Sequence, residues 1–472
     1  MKRSAHSISR RIGIGTLVGA AAIGAALAAG PTGPASAEPV GEFTIFELGP
    51  GSNYNAAIAA GPDGNMWFTS NANNSVNVIT PDGSVTSFPV PTSPSLASGP
   101  LLTAIAAGPD GNMWFTGYFA NYVGKVTPAG VVTTYQVPIA GARPLDITAG
   151  PDGNMWFTLG FANGIGRVTP AGEFTMFPLP APGATGPASI STAGSCPMCP
   201  NQITAGPQES LWFTIPAVNL VGRMTVGGSL TTFPITTATP PSEFSEPYTL
   251  GGITSGPDGN LWITQTADSK VSRMTPAGQV TDFPLPAAIQ YPIEIARGPG
   301  STLWVIASKG NALARLDVPR AVDGGTVAST AYPLPSANSY PGGVATGPDG
   351  SAWFTNLMLP PSWTSMTAQV GRIGTGVGPI LTARLISAPL SAGATAQAGT
   401  ALTCAHANRS GWLQAKVRYQ WLRDGTPMLG RVGRTFTPQT RDVGHQISCH
   451  VAVTYAPALN SLGATSPQVQ VG

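Results

Sequence analysis

Imidazole, thiol and carboxylate groups are spread very unevenly along this chain. Its four histidines are His6, His406, His445 and His450, so no side chain between residues 7 and 405 can serve as an imidazole general base. Cys196-Pro197-Met198-Cys199 has the spacing of a redox motif, which matters where a helix N-terminus lowers the first thiol's pKa. In a Pro-rich stretch of an exported chain the expectation is instead a local structural disulfide, ahead of redox chemistry or metal ligation. Asp146 and Glu294 stand far apart in sequence without a His or a second carboxylate beside them. Together with Tyr54, Arg143, Asn201, Gln202, Gln265, Tyr291, Tyr340 and Asn356 they offer aromatic, amide and charged groups of the kind that hold a polar ligand such as a glycan or peptide. The competing reading is that these are solvated loop residues. No catalytic residue, metal site or cofactor is expected.

The elements that must position these groups are short strands. Of 472 residues, 59 are Gly and 47 are Pro; 42% are hydrophobic and only 9% charged, against roughly 25% charged in ordinary soluble domains. Enough apolar surface exists for a core, and salt-bridged helices are excluded as its main covering. Lys2, Arg3, Arg10 and Arg11 precede an apolar stretch from Ile12 to Ala29 and then Ala35-Ser36-Ala37, the order of a secretory signal over 1–37. Ordinary secretion is favoured over the twin-arginine route because Gly13 follows Arg10-Arg11 where a bulky apolar residue would strengthen the second reading. Past Ala37 no run reaches the ~18 apolar residues of a transmembrane helix, so a secreted, extracellular chain without a membrane span is expected, as a monomer.

Tryptophan sets the period. Trp67, Trp114, Trp156, Trp212, Trp262, Trp304 and Trp353 recur, three of them inside the identical phrase AGPDGNMWFT; spacings of roughly 40–56 residues suit four-stranded propeller blades. Within 146–180 the order is an apolar strand, a Gly-Pro-Asp-Gly turn, the strand NMWFT, a variable loop, the strand IGRVT, a Pro-Ala-Gly turn and the strand EFTMFPL. Pro presets φ, Asp binds its own backbone and Gly takes positive φ. GEFTIFEL at Gly41 to Leu48 repeats a fourth strand, and the seventh unit stops after its third. The prediction is an all-β chain: a seven-bladed β-propeller over 38–378, closed by the N-terminal strand. The loops joining strands two and three, and four and one, then share one face, which carries Tyr54, Arg143, Asp146, Asn201, Gln202, Tyr291, Glu294 and Tyr340. Asp146 and Glu294 fall at equivalent places three blades apart, too far to share one proton.

Residues 379–472 break the period. Cys404 and Cys449 flank Trp421 among alternating runs, which predicts an Ig-like β-sandwich with a Cys404 to Cys449 disulfide. Charge also divides: residues 38–378 hold 11 Lys/Arg and 19 Asp/Glu, residues 379–472 hold 8 and 2. A basic module of this kind suits an anionic cell-envelope polymer, or it merely solubilises the chain; nucleic acid is not an expected partner.

The units I-T-x-G-P-D-G-N-x-W-F-T, V-G-R-V-T-P-A-G and F-T-x-F-P-L-P resemble the streptogramin lyase (virginiamycin B lyase) family of seven-bladed propellers across residues 41–378. The resemblance implies an enzyme that opens a cyclic depsipeptide antibiotic by elimination, with a general-base His and a Mg²⁺ held by carboxylates, in a motif Glu-x-His-Gly-Ile-Thr followed by Trp-Phe-Thr-Glu. The matching stretch here is TLGGITSGPDGNLWITQ, Thr249 to Gln265. Thr249 and Gln265 stand in the two Glu places and Gly251 in the His place. The other six blades put Ala56, Thr103, Leu145, Asn201, Ile293 and Gly342 there, so none supplies the base. The expectation is a ligand-binding protein on the lyase scaffold, the alternative being a carbon-oxygen lyase or another enzyme acting through different residues.

Overall fold

The structure, a computed structural model, describes residues 39–48, 55–91, 99–180, 190, 196, 198–235, 249–318, 327–336, 339–358, 367–377, 381–386, 396–408, 415–424, 426–428, 431–455, 461–466 and 469–471. Residues 1–37 and Tyr54 lie outside the described residues, as does the junction at 378–380.

Asn55–Ala60, Met66–Ser70, Ser75–Ile79 and Val85–Pro89 pair in chain order as one antiparallel sheet, blade 1. The same order recurs in blades 2 to 6, over 102–136, 144–178, 203–234, 250–284 and 292–333. Blade 7 is built from Ser339–Thr346, Ala352–Met358 and Thr367–Ile373, with Phe43–Glu47 as its outer strand: Phe43 lies opposite Ile373 and Glu47 opposite Gln369. Each blade's first strand touches the first strand of the next, and blade 7's returns to blade 1. The chain is thus an all-β propeller with seven four-stranded sheets in a ring among the described residues.

Neighbouring blades cover both faces of each second strand, which explains why MWFT-type segments are buried at every position. A buried indole N–H needs an acceptor, and the turn supplies it. Asp63 Oδ1 accepts from Trp67 Nε1 at 2.9 Å and from the Asn65 backbone at 3.2 Å. Asp110, Asp152, Asp258 and Asp349 do the same for Trp114, Trp156, Trp262 and Trp353. Each indole also lies against an aromatic ring of strand four, as in Trp67 on Phe88 and Trp156 on Phe177. In blade 7 that ring is Phe46, 5.5 Å from Trp353 and 8° from parallel, so the N-terminal strand replaces a missing fourth strand down to its stacking partner. The next blade's Pro-x-Gly turn rests on the same ring. Gly83 has φ +93, and a Cβ there would meet Phe46 at 2.4 Å, so only glycine satisfies both the left-handed backbone and the close approach.

In the C-terminal part, Leu381–Ile386, Leu402–Asn408 and Thr435–Phe436 form a three-stranded sheet. Ala415–Arg423, Thr426–Pro427, Gln446–Tyr455, Ser461–Thr465 and Val469–Gln470 form a five-stranded one. The Cys404–Cys449 disulfide joins the two, beside buried Trp421, which donates to the Gly433 carbonyl at 2.8 Å. This part touches the propeller's turn face: Arg418 Nη1 donates to the Pro109 carbonyl at 3.1 Å, and Ala60 packs against the buried cluster around Trp421. His450 sits at the same seam, where burial lowers its pKa while Asp63 and the Pro62 carbonyl act in the other direction.

Candidate functional site

The first strands line the centre of the ring. Because blades pair in the same register, residues can be stacked in levels from the loop face inward. The outermost level contains Leu101, Arg143, Thr249, Tyr291 and Tyr340. Three of these hold left-handed backbone, Leu101 (φ 49), Arg143 (φ 53) and Tyr291 (φ 57), a conformation that costs a non-glycine residue of order 1–2 kcal/mol. The next level carries Thr103, Leu145, Asn201, Gly251, Ile293 and Gly342, and below it come Ala57, Ala104, Asp146, Gln202, Gly252, Glu294 and Gly343. Irregular register in the first strands, such as between Pro144 and Ile147 and between Pro292 and Glu294, re-aims the residues at this depth. Toward the turn face lies a cavity of about 210 Å³, lined by alanine, threonine and isoleucine residues from all seven blades and by one charged side chain, Arg297, whose pKa burial lowers to about 10.

Asp146 and Glu294 thus occupy equivalent places, as their spacing predicts, and sense each other electrostatically. Asp146 accepts from the Ile203 backbone of the next blade at 2.7 Å and from its neighbour Ile147 at 2.8 Å. Burial nevertheless pushes its pKa up to about 7. Glu294 is pushed up to about 8, first by burial and then by the charge of Asp146. Both carboxyls therefore hold protons near neutrality more strongly than free carboxylic acids do.

Thr249, Gly251 and Gln265, singled out in the sequence, are all buried. Thr249 is buried and donates to the Pro216 carbonyl at 3.1 Å, with Asn219 as a second partner. Gln265 is buried within blade 5, where its amide donates to Ser272 and to Asp282 at 3.1 Å. A Cβ on Gly251 would lie 2.6 Å from Thr264 Oγ1 and 2.7 Å from the Ile293 carbonyl oxygen. No side chain fits there without movement of the wall. Thr249 thus offers a hydroxyl and Gln265 an amide, both bonded to protein partners.

The remaining sequence-predicted residues separate into groups. Asn356 is buried, donating to Gln369 at 2.9 Å, and Gln369 in turn donates to Glu47 of the N-terminal strand at 2.7 Å. Asn201 and Gln202 are half-buried on the first strand side of blade 4, and their backbones bond to Thr214. Cys196 and Cys199 are joined as a disulfide, Cα to Cα 5.3 Å. Tyr340 is exposed, and Tyr291 carries Lys309 Nζ 3.9 Å over its ring. Arg143 lies 4.3 Å over Phe161, 5.5 Å from Tyr118 and 5.7 Å from Phe119. Sequence reading passes over Tyr118, Phe119, Phe161 and Lys309. The repeated phrase Phe-Ala-Asn at 119–121 and 161–163 is the signal that singles out the two phenylalanines, since it fixes both in the loops between strands two and three.

The sequence profile of the virginiamycin B lyase family matches residues 35–198 and 194–386. The chain belongs to the virginiamycin B lyase family. Among solved structures it is similar to a streptogramin B lyase, with 27% identity and a TM-score of 0.57 over 70% of this chain and 97% of that one. It is similar also to virginiamycin B lyase from Staphylococcus aureus, with 28% identity and a TM-score of 0.56 over 71% of this chain and 99% of that one. A catalytically inactive variant of the S. aureus enzyme, in which a histidine is replaced by alanine, was solved with quinupristin and matches at 27% identity, with a TM-score of 0.56, over 70% of this chain and 99% of that one. Comparison with curated proteins finds no match.

Proposed function

We propose that this member of the virginiamycin B lyase family is a secreted ligand-binding protein that does not open streptogramin B antibiotics. The observation that carries the reading is the closed wall at Gly251, where even a Cβ would meet oxygen atoms at 2.6 and 2.7 Å. With Thr249 and Gln265 bonded to protein partners, neither a base nor a metal carboxylate is offered at the family's position. The loop face supplies the binding groups, with Arg143, Tyr291 and Tyr340 at its rim and Asp146 and Glu294 inside the ring. Residues 1–37 direct export, and the C-terminal Ig-like module uses exposed Arg431, Arg434 and Arg441 to hold the protein to anionic envelope polymer. Incubating the purified mature chain with quinupristin and following ring opening by mass spectrometry tests the central point. Unchanged antibiotic is expected, for the parent and for Gly251→His alike; opening above a protein-free blank overturns the reading.

A second reading rests on Glu294. A carboxyl held at about 8 inside a channel is suited to general acid–base work at neutral pH, and an enzyme acting through Glu294 and Asp146 would use the family's scaffold with different chemistry. Turnover abolished by Glu294→Gln, in a screen of esters and lactones against the parent chain, is the result that would favour it.

A further inference from the structure

We propose that the cluster of Arg143, Tyr118, Phe119 and Phe161 is an anchoring site for an acidic sugar, a hexuronate whose carboxylate takes the guanidinium and whose ring faces the phenylalanines. The inference rests on the ligand-binding reading above and names the ligand class for its loop face. Three loops converge here: Tyr118 and Phe119 follow the second strand of blade 2, Phe161 follows that of blade 3, and Arg143 precedes the first strand of blade 3. The arginine is fixed by its backbone. Its N–H donates to Asn121 Oδ1 at 2.8 Å, its carbonyl accepts from Gly160 at 2.9 Å, and Asn121 is itself held by the Ile139 carbonyl at 2.9 Å. These bonds maintain a left-handed φ of 53 that an arginine would not otherwise adopt.

What this fixed backbone displays is a guanidinium 4.3 Å over Phe161, with no acceptor for its side-chain N–H groups among the described residues. Stacking leaves the planar fork of donors free at its edge, the geometry that matches a carboxylate bidentately. Beside it Phe119 is 44% and Phe161 37% exposed, an open aromatic surface. A peptide laid across these rings would leave its amides facing carbon, with no partner. A pyranose instead turns C–H bonds to the rings and keeps its hydroxyls in water. A neutral sugar would leave the arginine fork unused.

The test is calorimetric titration of the full mature chain with trigalacturonate, its methyl ester, and a tri-aspartate peptide. Expected are binding of trigalacturonate, at least tenfold weaker binding of the ester, and no peptide binding. Arg143→Gln and Phe161→Leu should each weaken trigalacturonate at least tenfold, and Arg143→Lys, which keeps the charge and loses the fork, should fall between. A melting curve for each variant guards against misfolding. Equal binding of ester and acid, preference for the peptide, or binding indifferent to Arg143 and Phe161 in folded variants each overturns the proposal. The last two leave the broader binding reading standing, whereas ring opening of quinupristin would sink that reading without touching this one.

Discussion

Glu294 keeps its proton past neutrality because the ring that surrounds it offers little water and a second acid, Asp146. Its carboxyl binds a proton more tightly folded than unfolded, so the folded state holds more protons between the ordinary glutamate value and about 8, and stability falls as pH rises through that window. Removing the titration should flatten the profile. Glu294→Gln is expected to melt about 3–6 °C higher than the parent at pH 8.5 and near it at pH 4.5, measured by calorimetry; identical profiles would mean the carboxyl is not enclosed. The equivalence of Asp146 and Glu294 could be read from the repeat, since each sits just ahead of the Gly-Pro turn at the same spacing, before Gly150-Pro151 and Gly298-Pro299 in matching blades. The burial of Gln265 and Asn356 could not. Gln265 ends the second strand of its blade and Asn356 lies near the end of its own, and which side chains of such a strand are closed off depends on the adjoining blade and not on its own pattern.

At the scale of the blade, one unit of indole, aspartate and strand-four ring is used repeatedly, and its exceptions are informative. In blade 6 the turn reads Gly298-Pro299-Gly300-Ser301, no aspartate is present, and Trp304 Nε1 is buried with no acceptor among the described residues. Replacing Gly300-Ser301 by Asp-Gly should supply it and raise stability by about 1 kcal/mol in denaturant titration; a loss would show that the turn, with φ 64 at Gly300, cannot adopt the other blades' form. The seam of blade 7 is the second test. Phe46→Ala removes the ring on Trp353 and Gly83 together and should cost about 2–4 kcal/mol, whereas a neutral outcome would mean the N-terminal strand adds little to the ring. The seven tryptophans, the turns and the closing strand were all legible in the sequence because each is a repeated local pattern. The indole-to-aspartate bond was not, since spacing alone does not tell a turn residue that binds its own backbone from one that also reaches inward.

Across the whole molecule, the propeller and the C-terminal sheets form one compact unit over Ala37–Gly472, with opposite charge balances and Arg418 donating onto a propeller turn. The Cys404–Cys449 crosslink encloses 45 positions, for which the chain-entropy relation gives about 4 kcal/mol. Reducing it, or Cys404→Ala with Cys449→Ala, should unfold the C-terminal sheets at lower denaturant than the propeller and split one transition into two; a single unshifted transition would show that the crosslink is dispensable. The ring seam has a different kind of consequence. Gln369 bonds to Glu47 across 322 positions of sequence, so the earliest strand of the ring must wait for the latest, and until they meet each molecule offers both a free edge and the strand that fits it. Nothing in five residues of backbone pairing tells one's own strand from a neighbour's. Closure at home wins only while its effective concentration exceeds that of other copies, so refolding at high protein concentration should produce interlocked dimers that exchange Phe43–Glu47, and refolding at high dilution should produce single closed rings.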